Sequence, residues 1–213
     1  MSIGIIGAGA LGANLARAFA GAGIPAILSN SRGPESLARL VEELGGPIKA
    51  GTTQEAARAD IVFLAVRWVD VKKVLSGLPA WSGRIVVDGT NPVEWIDPNS
   101  PDAKDPSNPL APYGIKAVDL NGRHSSSVVR ELVPGARLVK AFNHLDARIL
   151  SDPAAAGQRV LFYSGDDAGA KAEVRGLMVK AGFFPIDLGA LDIGGPLASL
   201  PFGPLAAVSF LKV

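Results

Sequence analysis

The glycine pattern Gly7–Gly12, which reads Gly-Ala-Gly-Ala-Leu-Gly, constrains this chain more than any other feature because it directly follows the apolar run Ile3–Ile6. Gly7 permits a tight turn, Gly9 lets the backbone approach a pyrophosphate, and Gly12 lets a helix pack closely on a strand. The amides at the start of that helix, together with its dipole, favour phosphate. The pattern predicts a strand, a turn and a helix that bind a dinucleotide; the alternative is a glycine-rich turn without a ligand.

The residues after the second predicted strand indicate which dinucleotide is bound. NAD-specific sites place Asp or Glu at the end of this strand, where the carboxylate accepts hydrogen bonds from the ribose hydroxyls. Here the strand leads into Asn30, Ser31 and Arg32, about 20 residues after the last glycine. A guanidinium can bind a phosphate through two parallel hydrogen bonds and can stack on adenine. The sequence therefore predicts NADP(H), with a solvated turn arginine as the alternative.

Two later strand ends complete the predicted crevice, because ligands of such sheets lie beyond the carboxyl ends of the strands. Ala65 and Val66 close the fourth predicted strand, and their small side chains let a coenzyme pass near the backbone. Thr90 and Asn91 follow the fifth strand and can hydrogen-bond the nicotinamide ribose or carboxamide. The alternative is an ordinary loop in which Asn91-Pro92 only turns the chain.

Strand and helix patterns alternate along most of the chain, which is typical of parallel strands joined by helical crossovers. We predict an α/β fold, a Rossmann-like doubly wound and mostly parallel sheet of order 3-2-1-4-5-6. The predicted strands are Ile3–Ile6, Ala26–Ser29, a piece near Ile48, Ile61–Val66, Ile85–Val87, Leu138–Phe142, Val160–Tyr163 and Pro185–Leu188. The predicted helices run from about Leu11 to Ala22, Pro34 to Gly45, a Thr53 cap to Ala59, Val69 to Leu75, and an Asp166 or Asp167 cap to Ala181.

Prolines mark the two parts of the chain that depart from this alternation. Six of them, from Pro92 to Pro112, remove backbone donors and break the pattern, so residues 92–125 are predicted to be a loop insertion. Prolines also interrupt the apolar tail, for which no element is predicted. We therefore expect an NADP-binding domain over residues 1–190 and an apolar extension over residues 191–213 that packs on this domain or on a partner subunit.

Composition restricts the partners. The 213 residues, 48% of them hydrophobic, suffice for one core and a short extension. A net charge of +1, from 21 basic and 20 acidic residues, gives no excess of positive charge that would attract nucleic acid or an anionic membrane.

The absence of cysteine excludes disulfides, thiolate nucleophiles and cysteine-ligated metals. No signal peptide and no apolar stretch near the roughly 18–20 residues of a membrane span are visible. We expect a cytoplasmic protein whose partner is a small molecule.

Four segments in this order resemble the coenzyme F420-dependent NADP oxidoreductase family, and the same pattern occurs in the cytosolic reductase domain of the STEAP metalloreductases. The segments are Gly7–Gly12, Asn30–Pro34, Val87–Pro92 and Val133–Asn143. The resemblance spans about residues 3 to 190. It implies a Rossmann-like subunit that binds NADP(H) and exchanges hydride with a flavin-like partner lying against the nicotinamide. The proline-rich segment 98–112 and the proline-broken tail depart from the family, and both are positioned to touch the second substrate.

The resemblance carries cofactor-binding roles onto matching positions, with Ala141 near the nicotinamide. Together with the residues argued above, the candidate cofactor-binding residues are Gly7, Gly9, Ala10, Leu11, Gly12, Asn30, Ser31, Arg32, Ala65, Val66, Arg67, Thr90, Asn91 and Ala141.

No catalytic or metal-ligating residue is predicted. Hydride transfer between two conjugated rings requires stacking and orientation and needs no protein acid or base. His124 and His144 are too few for a histidine-rich metal site and are interpreted as structural or solvent-facing. Lys140 could reach the crevice, but it is interpreted as finishing a strand edge.

The predicted function is hydride transfer between NADPH and a deazaflavin-type or flavin-type acceptor, with F420 favoured and FMN, FAD or a flavin-mediated metal reduction next. Two alternatives stay open: an NADP(H)-binding sensor without turnover, and an NADPH-dependent reductase of another small substrate. The apolar tail also favours a homodimer.

Overall fold

The computed structural model describes residues 1–153 and 157–212, and their strands alternate with helices over most of this length. The strands are β1 Ile3–Ile6, β2 Ala26–Ser29, β3 Ile48–Ala50, β4 Ile61–Leu64, β5 Ile85–Asp88, β6 Val93–Trp95, β7 Ile115–Ala117, β8 Arg137–Ala141, β9 Gln158–Gly165, β10 Phe184–Asp187 and β11 Leu211–Lys212. The helices are α1 Ala10–Gly21, α2 Ala38–Leu44, α3 Thr53–Ala57, α4 Trp68–Ser76, α5 Ser125–Leu132, α6 Ala168–Lys180 and α7 Leu191–Ala198. Within the described ranges, no helix is both long and apolar enough to cross a membrane.

The main sheet confirms the predicted strand order. Its strands lie in the order β3-β2-β1-β4-β5-β8-β9-β10, so the first six carry the order 3-2-1-4-5-6 with β8 as the sixth. All neighbours from β3 to β8 are parallel. The pairing of β8 with β9 is antiparallel, and β10 runs parallel to β9. The chain is thus a Rossmann-like α/β protein with a mostly parallel sheet, and β1 lies inside the sheet between β2 and β4.

Helices cover both faces of the sheet, which explains why the central strands are continuous apolar runs. One face packs against α1, α2 and α6, with Phe19 and Met178 buried between helix and sheet. The other packs against α3, α4 and α5, with Ala56 and Val129 in the corresponding positions. Every residue of β1, β4 and β5 is buried as a result.

Several predicted boundaries were wrong, most of them by one or two residues, and two of these lie next to the site described below. The strand predicted over Ile61–Val66 ends at Leu64, because Ala65 and Val66 turn toward α4. The cap of α3 is Thr52 rather than Thr53, and the helix ends at Ala57. The hydroxyl of Thr52 accepts a hydrogen bond from the Glu55 amide, and the Glu55 carboxylate accepts one from the Thr52 amide, which forms a reciprocal capping box.

The segment predicted as a loop insertion contains more regular structure than expected. β6 and β7 form a separate antiparallel pair, joined through two short 3-10 turns. The helix α5 begins where this segment ends and was not predicted. The proline content explains the 3-10 turns, because proline suits the first turn of a helix but prevents its continuation.

The tail beyond β10 also forms elements that the sequence did not predict. The helix α7 contains Pro196 and lies against α5 and β9. Its close approach depends on two glycines: a Cβ on Gly194 would lie 2.5 Å from the Ser164 Cβ, and one on Gly195 would lie 3.0 Å from the Ser126 hydroxyl. The strand β11 then pairs antiparallel with the start of β9.

Gly4, on the interior strand β1, sets how closely α3 packs on the sheet. A Cβ on Gly4 would lie 2.0 Å from the Ala56 carbonyl oxygen, a backbone atom that cannot move away.

We predict that Gly4→Ala destabilises the fold by about 1–3 kcal/mol or more through overpacking. The control is Gly176→Ala, at an exposed position in α6 where a Cβ meets no atom within 4 Å. It should stabilise the fold by up to about 1 kcal/mol. Urea unfolding measures both; equal effects would contradict the packing argument.

Candidate functional site

A cavity of about 890 Å³ opens beyond the carboxyl ends of β1, β2 and β4, and we call it the glycine-turn cavity. Three stretches of chain form most of its wall: the turn before α1, the turn after β2 and the segment before α4. Of the predicted residues it is lined by Gly7, Gly9, Asn30, Ser31, Arg32, Ala65, Val66 and Arg67. The cavity lies outside the carboxyl ends of the strands, which is where ligands of doubly wound sheets bind.

The three glycines of the first turn are required for different reasons. Gly7 has a φ of 106°, and a Cβ there would lie 2.2 Å from the Ala65 carbonyl oxygen. A Cβ on Gly12 would lie 1.8 Å from the Gly7 carbonyl oxygen, which explains the close contact between α1 and β1. Among the residues that the structure describes, none has an atom within 4 Å of a Cβ on Gly9, which would project into open space. The fold therefore requires Gly7 and Gly12, whereas at Gly9 it leaves room for a ligand to approach the backbone.

The turn after β2 is organised by the Asn30 side chain. Its carbonyl oxygen accepts a hydrogen bond of 2.9 Å from the Arg32 amide, and its amide group donates one of 2.9 Å to the Ser36 hydroxyl. These bonds engage Asn30 within the turn and leave Ser31 and Arg32 exposed at the cavity. The hydroxyl and guanidinium thus lie on the same wall, as the sequence predicts for a 2′-phosphate site.

Sequence reasoning missed several residues that line the same cavity. Thr52, Thr53 and Gln54 reach it from the start of α3, and Asp70 and Lys73 reach it from α4. The Asp70 carboxylate does not stay available for ribose hydroxyls, because both Nε and Nη2 of Arg67 contact it at 2.9 Å. The Thr-x-x-Glu capping signature beginning at Thr52 was the signal that could have placed this helix start correctly.

Thr90 lies at the carboxyl end of β5 but makes internal contacts. Its hydroxyl donates a hydrogen bond of 2.6 Å to the buried Asp88 carboxylate. The ammonium group of Lys140, on β8, lies 2.9 Å from the same carboxylate and also donates to the Thr90 carbonyl. Lys140 is therefore a buried partner of Asp88 and not the strand-edge residue that was predicted.

Asn91 connects three segments of the chain. Its side-chain amide donates a 2.6 Å hydrogen bond to the Asn143 carbonyl, and its side-chain oxygen accepts one of 3.0 Å from the Leu200 amide. The Asn143 amide group in turn donates to the Ala198 carbonyl and to the Ser199 hydroxyl. Asn91 thereby ties the end of β5 to the end of β8 and to the tail.

The remaining candidates lie outside the wall of the glycine-turn cavity. Ala10, Leu11 and Gly12 form the first turn of α1, and Leu11 approaches Gly89. Ala141 is fully buried at the end of β8. It precedes Phe142, whose φ of 63° turns the chain sharply as it leaves the sheet.

A second cavity, of about 640 Å³, lies between the end of β7, the start of α5 and the tail after α7. We call it the tail cavity. It begins immediately after the Asn91 junction, because both Pro92 and Ser199 line it. Its other prominent lining residues are Arg123, His124, Pro201 and Phe202.

With this geometry in place, the chain can be compared with known proteins. Residues 2–92 match the family described as NADP oxidoreductase, coenzyme F420-dependent. The whole chain is 41% identical to a hypothetical protein from Sinorhizobium meliloti; the match covers 97% of that chain with a TM-score of 0.85. The chain therefore belongs to this family of NADP oxidoreductases. The matched residues include the glycine turn, the Asn30–Pro34 turn and the end of β5.

Two further relatives of the oxidoreductase show less identity. A putative F420-dependent NADP reductase from Arthrobacter sp. FB24 is 24% identical, with 90% of this chain and 86% of that chain covered and a TM-score of 0.67, which shows a shared fold. Metalloreductase STEAP3 of Rattus norvegicus is 26% identical over 201 residues, which are 93% of this chain and 36% of that protein. The oxidoreductase thus spans about a third of the length of this curated relative.

Arg32 provides a direct test of the proposed 2′-phosphate contact. Charge-assisted hydrogen bonds contribute about 1.5–3 kcal/mol, so Arg32→Ala should weaken NADPH binding by about ten- to a hundredfold and leave NADH binding nearly unchanged. Titration of protein fluorescence with each nucleotide measures both affinities. Arg39→Ala is the matched control, because Arg39 is an exposed arginine of α2 outside the cavity wall. Equal losses for NADPH and NADH would refute the assignment.

His144, beyond the end of β8, makes the stability of the oxidoreductase depend on pH. Its ring is fully buried, 4.9 Å from that of Phe162, and neither nitrogen makes a well-formed hydrogen bond within the described residues. Burial lowers its pKa to about 4, and a weak contact with the Val160 backbone offsets only part of this effect. The unfolded chain, with a histidine pKa near 6.5, therefore takes up the proton first as the pH falls.

We predict that His144 reduces stability between about pH 6.5 and pH 4, by up to about 1.4 kcal/mol per pH unit. Above that window its contribution is fully present. Urea unfolding of the wild type and of His144→Leu at several pH values measures the difference, because all other titrating groups are shared. If the two stabilities change in parallel with pH, the prediction is wrong.

Proposed function

We propose that this oxidoreductase binds NADP(H) in the glycine-turn cavity and transfers hydride from NADPH to a flavin-type or deazaflavin-type acceptor, with F420 favoured. The observation that carries the coenzyme choice is the exposed pair Ser31 and Arg32 on the wall that faces the glycine turn. Asp70, the carboxylate in this wall, is held by Arg67. A site with an exposed guanidinium and an occupied carboxylate favours a 2′-phosphate over free ribose hydroxyls.

The residues of the chain provide position and electrostatics, and the bound nicotinamide supplies the hydride. The backbone at Gly9 and the first amides of α1 are placed for the pyrophosphate, since Gly9 caps the helix without a side chain that would satisfy these amides. The Asp88–Lys140 pair holds the loop after β5 in place, so Thr90 and Asn91 present a fixed backbone at the nicotinamide end. In this proposal the side chains of Thr90 and Asn91 mainly hold the loop in its conformation, and the backbone of the loop contacts the coenzyme.

The choice of a planar ring as acceptor is supported by the family match. The family description names coenzyme F420 as the partner of its members. Transfer between two stacked rings needs no protein acid or base, so position and orientation are what this chain must supply.

Turnover measurements test this proposal. Purified protein is mixed with NADPH and, in turn, F420, FMN and FAD, and the nicotinamide absorbance is followed. We expect oxidation of NADPH with at least one of these acceptors, fastest with F420, and much slower oxidation of NADH. Arg32→Ala should lower kcat/KM for NADPH about ten- to a hundredfold, in line with the lost charged hydrogen bonds.

Two other outcomes would replace the proposal. Reduction of a 2-keto acid or an imine, with no oxidation of NADPH by any ring acceptor, would assign the protein to reductases of small substrates. Tight NADPH binding with no turnover of any kind would favour a sensor.

We also propose that residues 191–213 act as an extension that contributes to a homodimer. Part of the extension packs on its own domain, since Leu191 and Ala198 are buried. Other apolar side chains of the extension remain exposed: Ile193, Phe202, Val208, Phe210 and Leu211. Such a concentration of exposed apolar side chains favours a protein contact.

A further inference from the structure

We propose that Arg67 binds the pyrophosphate of the coenzyme and that Asp70 is the positioning residue that orients its guanidinium. This inference rests on the proposed function, because it assigns a further contact to the coenzyme of that reaction. The group recognised is the pyrophosphate that NADPH and NADH share, and not the 2′-phosphate that distinguishes them. The strand order, the backbone contacts, the free donors of the guanidinium and the charge of the wall each support it.

The strand order places Arg67 and Arg32 on opposite sides of the glycine turn. β1, which leads into this turn, lies between β2 and β4. Arg32 follows β2 and Arg67 follows β4, and both residues line the glycine-turn cavity. In such folds the pyrophosphate lies over the glycine turn, and the adenine ribose lies at the end of the second strand. A guanidinium on the β4 side is therefore beside the pyrophosphate and remote from the 2′-phosphate.

The segment that carries Arg67 packs directly on the glycine turn. The Ala65 amide donates a hydrogen bond of 2.8 Å to the Ile6 carbonyl. A Cβ on Gly7 would lie 2.2 Å from the Ala65 carbonyl oxygen and 3.0 Å from Cγ1 of Val66. Because the two segments are this close, the backbone of Arg67, the next residue, is fixed beside the turn.

The guanidinium of Arg67 is held on one edge and free on the other. Its Nε and Nη2 both lie 2.9 Å from one carboxylate oxygen of Asp70. Within the described residues, these are the side-chain hydrogen bonds and ion pairs of Arg67. Arginine has five N–H donors in a planar fork, so the donors of Nη1 remain for a ligand. A fork that is oriented by a carboxylate and open at its far end is well suited to a phosphate.

The charge of the cavity wall favours an anion. Among the described residues that line it, the cations are Arg32, Arg67 and Lys73, and the carboxylate is that of Asp70. Asp70 lies in the first turn of α4, where the helix dipole stabilises a negative charge. The first turn of α1 contains no acidic residue, and Gly9 caps it without a side-chain hydrogen bond. The pyrophosphate would thus meet the amides of α1 on one side and Arg67 on the other.

Two coenzymes and one fragment separate the roles of the two arginines. Arg67→Ala should weaken binding of both NADPH and NADH by about ten- to a hundredfold, because both contain the pyrophosphate. Adenosine 2′-phosphate carries the 2′-phosphate without a pyrophosphate. Its Kd should be unchanged in Arg67→Ala and raised about tenfold or more in Arg32→Ala. Titration of protein fluorescence measures the coenzymes, and competition against NADPH measures the fragment.

Arg148→Ala is the matched control. Arg148 is an 83% exposed arginine that is also paired with a nearby carboxylate, that of Asp146, and it lies outside the cavity wall. Its removal should leave all three affinities unchanged. Arg67→Ala carries little risk to folding, because the side chain is 66% exposed and makes no capping hydrogen bond to α4. Arg67→Lys, which keeps the charge but not the planar fork, should lose less affinity than Arg67→Ala.

A double-mutant cycle tests whether Asp70 acts through Arg67. Asp70→Asn should raise the Kd of NADH by up to about fivefold in the presence of Arg67, because the guanidinium is no longer held. In the Arg67→Ala background the same substitution should have no effect. Equal effects in the two backgrounds would show that Asp70 acts through its own charge, and a lower Kd would show that it competes with the phosphate; either result would overturn its positioning role.

The binding data decide the inference whether or not an acceptor is reduced. Unchanged NADPH and NADH affinities in Arg67→Ala would overturn it, and so would a loss for NADPH alone, which would assign Arg67 to the 2′-phosphate. Binding of NADPH without turnover would refute the proposed hydride transfer, while parallel losses for both coenzymes in Arg67→Ala would still support the pyrophosphate contact. Absence of NADPH binding by the wild type would refute both proposals.

Discussion

The buried contact between Lys140 and Asp88 determines the shape of the functional end of this oxidoreductase. The two side chains are 1% and 0% exposed, and their charged atoms lie 2.9 Å apart. A charge buried without a partner is strongly unfavourable, so neither residue is tolerated there without the other. Because Lys140 lies on β8 and Asp88 on β5, the pair joins two neighbouring parallel strands at their carboxyl ends. Lys140 also binds the Thr90 carbonyl, which holds the loop that follows β5.

Because this loop is held in place, the position of Asn91 is fixed. The Asn91 side chain in turn fixes where the segment after α7 lies. Its side chain binds the Asn143 carbonyl and the Leu200 amide, so a single amide group joins β5, β8 and the segment after α7. The glycine-turn cavity lies on the β1 side of this junction, and the tail cavity begins on the other side with Pro92.

The sequence predicted the sheet because its information is local. β1, β4 and β5 are continuous apolar runs bounded by glycine or polar residues, and the helices between them show a 3.6-residue period. The same is true of the turn that carries Ser31 and Arg32, where spacing from the glycines is sufficient. The positions of Ala65, Val66 and Arg67 in the cavity wall follow from strand order alone.

The parts that were not predicted depend on contacts between distant residues. The interpretation of Lys140 as a strand-edge residue was wrong because its partner Asp88 lies 52 residues earlier. The helix α7 forms despite Pro196 because Gly194 and Gly195 let it rest on β9 and α5, a contact that no local pattern reveals. The tail cavity, in turn, exists only because α7 and the insertion meet. Local periodicity determines the sheet, whereas contacts between distant residues determine what surrounds the tail cavity. The wall of the glycine-turn cavity was therefore easier to predict from the sequence than the wall of the tail cavity. The three glycines of the first turn differ in the same way. Contacts with the protein backbone explain why Gly7 and Gly12 must be glycine. At Gly9 the described residues leave open space, so a bound molecule is the explanation that we favour for this glycine.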